Sequence, residues 1–158
     1  STTGFVDEGN ARTRSIKDKA YKAVCNAAVK CLSRNVVPIL DATFHKLYRR
    51  EWVYALAKSE NAAAYLVWLV HNDEKAIRKC MKGRMRAGKV SALHTLEQYA
   101  IMRQQTDGLE DNELIEKPNC LTGIVQFDRA KGTARVYGKA DGFARQLADA
   151  VLKQHGKE

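Results

Sequence analysis

Long apolar runs are scarce in this chain of 158 residues. Its most apolar stretch, residues 62–70, falls well short of the ~20 residues that a membrane-spanning helix needs. Residues 1–10 show no apolar core of a secretory signal. Proline is nearly missing, with two residues, and the ten glycines follow no repeat, which excludes collagen and low-complexity linkers. The four cysteines (Cys25, Cys31, Cys80, Cys120) form no C-x-x-C pair and no Cys/His pattern of zinc spacing. A disulfide scaffold is excluded, no metal site is expected, and the cysteines read as small thiols in a reducing, cytoplasmic compartment. Acidic residues are also outnumbered: 18 Asp and Glu stand against 27 Lys and Arg, a formal charge of +9.

What is present describes an ordinary globular domain. The apolar share of 45% and the charged share of 28% exclude disorder. The length suits one domain spanning 1–158, large enough to bury roughly 70% of the surface of its unfolded chain. The basic excess is uneven. Residues 12–50 hold ten basic side chains against Asp18 and Asp41, and a second cluster runs Lys75, Arg78, Lys79, Lys82, Arg84, Arg86, Lys89. Such charge suits a polyanionic partner, RNA or DNA or the phosphates of a nucleotide, and equally a solvated basic face.

Periodicity sets out alternating elements. Asn10 caps a helix to about residue 33, with Ile16, Ala20, Val24, Ala27, Ala28 and Cys31 as its core-facing stripe. The run 36–40 reads as a buried strand despite Pro38, followed by a helix over 46–58 and a doubly buried strand over 62–70. A helix over 73–82, a glycine-bearing loop over 83–89, and a helix over 91–105 come next. A strand over 123–128 turns into a second at 133–137, and a helix over 141–154 closes the chain. The expected fold is α/β, a mainly parallel sheet flanked by helices.

One segment is less anonymous. Residues 36–44, Val-Val-Pro-Ile-Leu-Asp-Ala-Thr-Phe, join an apolar run to Asp41 and Thr43, with Arg50 six residues beyond Phe44. This pattern resembles the P-loop kinase superfamily, in particular predicted small kinases, polynucleotide 5′-kinases and seryl-tRNA kinases. The strand at 64–70, then Asp73-Glu74-x-x-x-Arg78 and Arg84, is similar to that group's strand, acidic cap and arginine-bearing lid. The lid-like segment runs over about 78–105, and the resemblance covers about residues 12–111. The group's phosphate cradle, G-x-x-x-x-G-K-[ST], is absent: Gly4 and Gly9 have the spacing, but Asn10-Ala11 follow. In the group the cradle's strand lies between the strands placed here at 36–40 and 62–70. Three arrangements stay open: a cradle upstream of Ser1, a strand donated by a partner, or a degenerate relative whose sheet closes otherwise. Ser1 standing where an initiator Met would be leads us to expect the first, a kinase-like fold whose first strand lies outside this chain.

The resemblance implies ATP and magnesium as cofactors and phosphoryl transfer to a hydroxyl acceptor, either a nucleic-acid or tRNA end or a small molecule. It implies that Asp41 orients a magnesium-bound water or the acceptor hydroxyl, and that Arg84 neutralises the transferred group. Arg78 and Arg86 are its companions toward the nucleotide; Thr43, Arg50 (or its neighbour Arg49) and Arg14 are set toward the substrate. Asp7 is a further carboxylate in that scheme, with Arg12 as an alternative clamp. Each has a plain structural counterpart. Asp41 and Thr43 suit a turn or helix cap, Arg50 suits a surface ion pair, and the remaining arginines suit a solvated helix face. The alternative function is a non-catalytic basic module that binds nucleic acid or protein.

Overall fold

The computed structural model describes residues 10–71, 73–86, 96–108, 121–138 and 142–155, without the side chains of Arg84, Met85, Leu96 and His155. Two compact units divide the chain, Ser1–Leu56 with Lys75–Gly108, and Ala57–Glu74 with Leu109–Glu158. No helix among the described residues is long and apolar enough to cross a membrane.

The first unit is helical. α1 (Ala11–Leu32) starts where expected, because the Asn10 side chain accepts hydrogen bonds from the Arg12 and Thr13 amides. It ends through the left-handed Asn35 (φ 57), which lets Val36 N–H reach back to the Cys31 carbonyl at 3.0 Å. Its buried face differs from the expected stripe. Ile16, Ala20, Val24 and Ala27 are exposed, whereas Thr13, Cys25 and Ala28 are buried. The rotation has a cause: Tyr21 packs edge-on against Phe44 (5.0 Å between ring centres), and Asp18 on the same side bonds to Arg49. α2 (Leu47–Ser59), α3 (Glu74–Arg86) and α4 (Leu96–Gln104) complete the helices. α3 passes through Gly83 to Arg86, so residues 83–86 are helical where a loop was expected; residues 87–89 lie outside the described residues.

The expected strand at 36–40 is corrected: the segment is irregular, with Val37 74% and Ile39 92% exposed. Pro38 removes an amide from the middle of a five-residue run. Among the described residues the sheet holds three strands, and none pairs with this segment. Asp41 therefore stands on a loop, not at the carboxyl end of a parallel strand.

The second unit carries that sheet, in order β1-β2-β3. β1 (Ala64–Val70) runs parallel to β2 (Leu121–Asp128), with Tyr65 opposite Gly123 and Val70 opposite Asp128. β3 (Thr133–Gly138) runs antiparallel to β2, from Asp128 opposite Thr133 to Gly123 opposite Gly138. The fold is thus mixed α/β, with one parallel and one antiparallel pair where a mainly parallel sheet was expected. The reason is the connection: residues 129–132 are too few for a crossover. They close as a turn in which the Asp128 carboxylate accepts from the Ala130 and Lys131 amides, and Gly132 takes a φ of 61. β2 is central, and its Ile124, Val125 and Phe127 are almost wholly buried. α5 (Gly142–His155) sets the small, buried Ala144 and Ala148 inward and packs on β2 and β3, while Phe143 meets Tyr65 with ring centres 4.8 Å apart. β1 is less buried than a doubly covered strand, since Val67 and Leu69 are exposed.

Candidate functional site

The segment after α1 runs through residues 41–45 into α2, where two adjacent arginines are buried. Arg50 is 1% exposed. Its guanidinium donates to the carbonyls of Phe44 (2.9 Å), Asp107 (3.3 Å) and Gly108 (2.9 Å). A charged fork spent on three main-chain oxygens joins the 44–50 turn to the end of α4. Arg49, wholly buried, turns the other way. Its Nε lies 3.0 Å and its terminal nitrogen 2.9 Å from Asp18 Oδ1. Its guanidinium carbon lies over the rings of Tyr21 (4.6 Å to the centre) and Tyr48 (5.2 Å), within cation–π reach of both. Tyr48 adds a 2.8 Å hydrogen bond to the same Asp18 oxygen.

Asp107 makes a third anchor. Its Oδ2 accepts from the Leu47 amide at 2.8 Å, so a residue sixty positions away caps α2. Its Oδ1 meets Lys46 Nζ at 3.2 Å, and its own amide donates to the His45 carbonyl at 2.8 Å. Burial alone would raise the Asp107 carboxyl. The Leu47 amide, the Lys46 ammonium and the Arg50 charge outweigh that and hold it below its ordinary value.

Between these anchors Phe44 adopts φ 40, a left-handed backbone that costs an aromatic residue about 1–3 kcal/mol. Its buried ring against Tyr21 and its carbonyl under Arg50 maintain it. On the crest, Asp41, Ala42 and Thr43 are exposed. Thr43 Oγ1 lies 2.8 Å from Tyr21 Oη and 3.3 Å from Nδ1 of the buried His45, which forms a Tyr–Thr–His chain of hydrogen bonds. Thr43 therefore does not cap α2, a role that Asp107 fills.

The structure thus brings Thr43 and Arg50 into one network and places Asp41 two residues from Thr43. Arg14, exposed on α1, lines an open depression with Ala11, Ser15, Asp18, Lys19 and Lys22; Asp18 joins that depression to the Arg49 cluster. Arg78 and Arg86 are exposed on α3, while the Arg84 side chain and Asp7 lie outside the described residues. Residues that sequence reading passed over are Asp18, Tyr21, His45, Tyr48 and Asp107. A signal existed for Asp18, one of two carboxylates among ten basic residues. Asp107 had none, because its partners are long-range. No family model, curated protein or solved structure matches this chain significantly.

Proposed function

We propose that the 41–45 loop is the acceptor side of a site for phosphoryl transfer from ATP to a hydroxyl group, in a cytoplasmic protein of the P-loop kinase kind that its sequence resembles. One observation carries the reading. Asp41 and Thr43 stand exposed on a loop whose left-handed Phe44 is tied by buried Arg50 to the Asp107 and Gly108 carbonyls, and whose Thr43 bonds to Tyr21 and His45. Backbone strain beneath exposed polar side chains is a common arrangement at functional sites.

A carboxylate, a hydroxyl and an imidazole on one loop suit an acceptor hydroxyl. They do not suit the nucleotide: the sequence has no glycine-rich cradle with its lysine. Among the described residues no cluster of three His, Cys, Asp or Glu gathers for a metal. This chain's part is therefore the acceptor. Asp41 hydrogen-bonds the hydroxyl, and Thr43, tied to Tyr21 and His45, fixes the loop that carries it. Arg50 acts through position, Arg14 lies toward the substrate, and Arg84 with Arg78 and Arg86 brings positive charge toward phosphate. The test is transfer of labelled phosphate from ATP with magnesium to a 5′-hydroxyl oligonucleotide, or to water in its absence. Asp41→Asn should lower turnover about a hundredfold or more with an unchanged melting temperature. Equal turnover in wild type and variant would overturn the reading and leave a non-catalytic binding module.

A further inference from the structure

The exposed side of α1 carries charge of one sign. Arg12, Lys19, Lys22 and Lys30 are exposed along it. Arg12, Lys19 and Lys30 are separated by seven and eleven residues, close to whole numbers of turns, so they share one face. At 1.5 Å per residue the row spans about 27 Å. Asp18, the one acidic residue of α1, is already held by Arg49 and Tyr48. The fold also does what the sequence concealed, setting aromatic rings beside this row. Trp52 lies edge-on to Tyr48 with centres 5.2 Å apart, and Lys22 Nζ lies 5.2 Å from the Trp52 ring centre. The depression lined by Ala11, Arg14, Ser15, Asp18, Lys19 and Lys22 adds one further cation, Arg14, and a hydroxyl, its one carboxylate being the Asp18 that Arg49 holds.

We propose that this α1 face, with the Trp52–Tyr48 pair at its side, binds a single-stranded polynucleotide. Its phosphates follow Arg12, Lys19, Lys22 and Lys30, and a base stacks against Trp52. Cations tracking a backbone beside an aromatic platform are what sequence-independent single-strand binding requires. A duplex would leave Trp52 without a base to stack on. A membrane fits poorly, because the exposed surface of the helix offers only two large apolar side chains, Ile16 and Val24, among alanines, Ser15 and Asn26. The proposal stands apart from phosphoryl transfer, since a protein without turnover keeps this face.

The experiment follows the anisotropy of a fluorescein-labelled twelve-nucleotide oligo(dT). Four phosphate contacts on a single strand give a log–log salt slope of about −2.8, so affinity should fall roughly fifty-fold from 50 to 200 mM salt. Lys19→Glu/Lys22→Glu, both exposed, should weaken binding at least tenfold at 50 mM and halve the slope, with an unchanged circular dichroism spectrum. The sequence has two tryptophans, so Trp68→Phe leaves Trp52 alone, and its fluorescence should be quenched by the oligonucleotide. Several results would overturn the proposal: no saturable binding at 50 mM salt, affinity within twofold in the double variant, binding without Trp52 quenching, or tighter binding to phosphatidylserine vesicles or polyglutamate.

Discussion

Replacing Arg50 by methionine keeps most of the side chain's volume and removes its fork. The guanidinium donates hydrogen bonds to the main-chain carbonyls of Phe44, Asp107 and Gly108. Each unpaired carbonyl costs about 1–3 kcal/mol where water cannot reach it. The Asp107 and Gly108 carbonyls are only part-buried, so the lower half of that range applies to them. The sum is about 3–7 kcal/mol, a large part of the ~5–15 kcal/mol that stabilises a domain. With a urea m-value near 2 kcal/mol/M, the unfolding midpoint followed by circular dichroism should fall by about 1.5–3.5 M. Arg34→Met, at an exposed position after α1, should leave the midpoint within about 0.3 M, as surface changes usually do. A shift below 0.5 M for Arg50→Met would refute the claim that this arginine closes the 44–50 turn onto the end of α4.

Other consequences are as direct. Asp107 is held below its ordinary value of 3.8, so it binds protons more weakly folded than unfolded. Its contribution is present above that value and is lost as pH falls through the lower folded one; Asp107→Asn should lack this acid-side loss in melting temperature measured against pH. Asp107→Ala should cost about 1 kcal/mol as a lost helix cap, read by chemical denaturation. Asn35, left-handed at φ 57, should lose about 1 kcal/mol on change to Ala and almost nothing on change to Gly. Phe127→Ala in central β2 should cost about 3–5 kcal/mol, against under 1 kcal/mol for Leu69→Ala in β1, where the side chain is 66% exposed. Cys80 is exposed, whereas Cys25 is buried and its thiol raised by that burial; a disulfide reagent should label Cys80 well before Cys25.

The legible parts of this fold were those with local causes. The Asn10 cap, the long helix behind it, the strand over 64–70, the hairpin after Asp128 and the closing helix all follow from periodicity and turn chemistry within a few residues. The misplaced parts needed tertiary information. An apolar run at 36–40 reads as a buried strand until its lack of a pairing neighbour and Pro38 are weighed. The stripe on α1 turned because one aromatic contact, Tyr21 against Phe44, and one ion pair, Asp18 with Arg49, outweigh several alanines. The candidate site was half visible. Asp41, Thr43 and Arg50 were picked out by their pattern, but what holds them comes from Asp18, Tyr21, Tyr48 and Asp107, up to 63 positions from Phe44, which no local spacing reveals.

The central claim is that the 41–45 loop presents Asp41 for chemistry rather than for stability. Comparing phosphate transfer and melting temperature in wild type and Asp41→Asn tests it most directly. The account predicts turnover lower by about a hundredfold or more at the same melting temperature, because the carboxylate is exposed. Full turnover in the variant, or a turnover loss that only follows a fall in melting temperature, would contradict it.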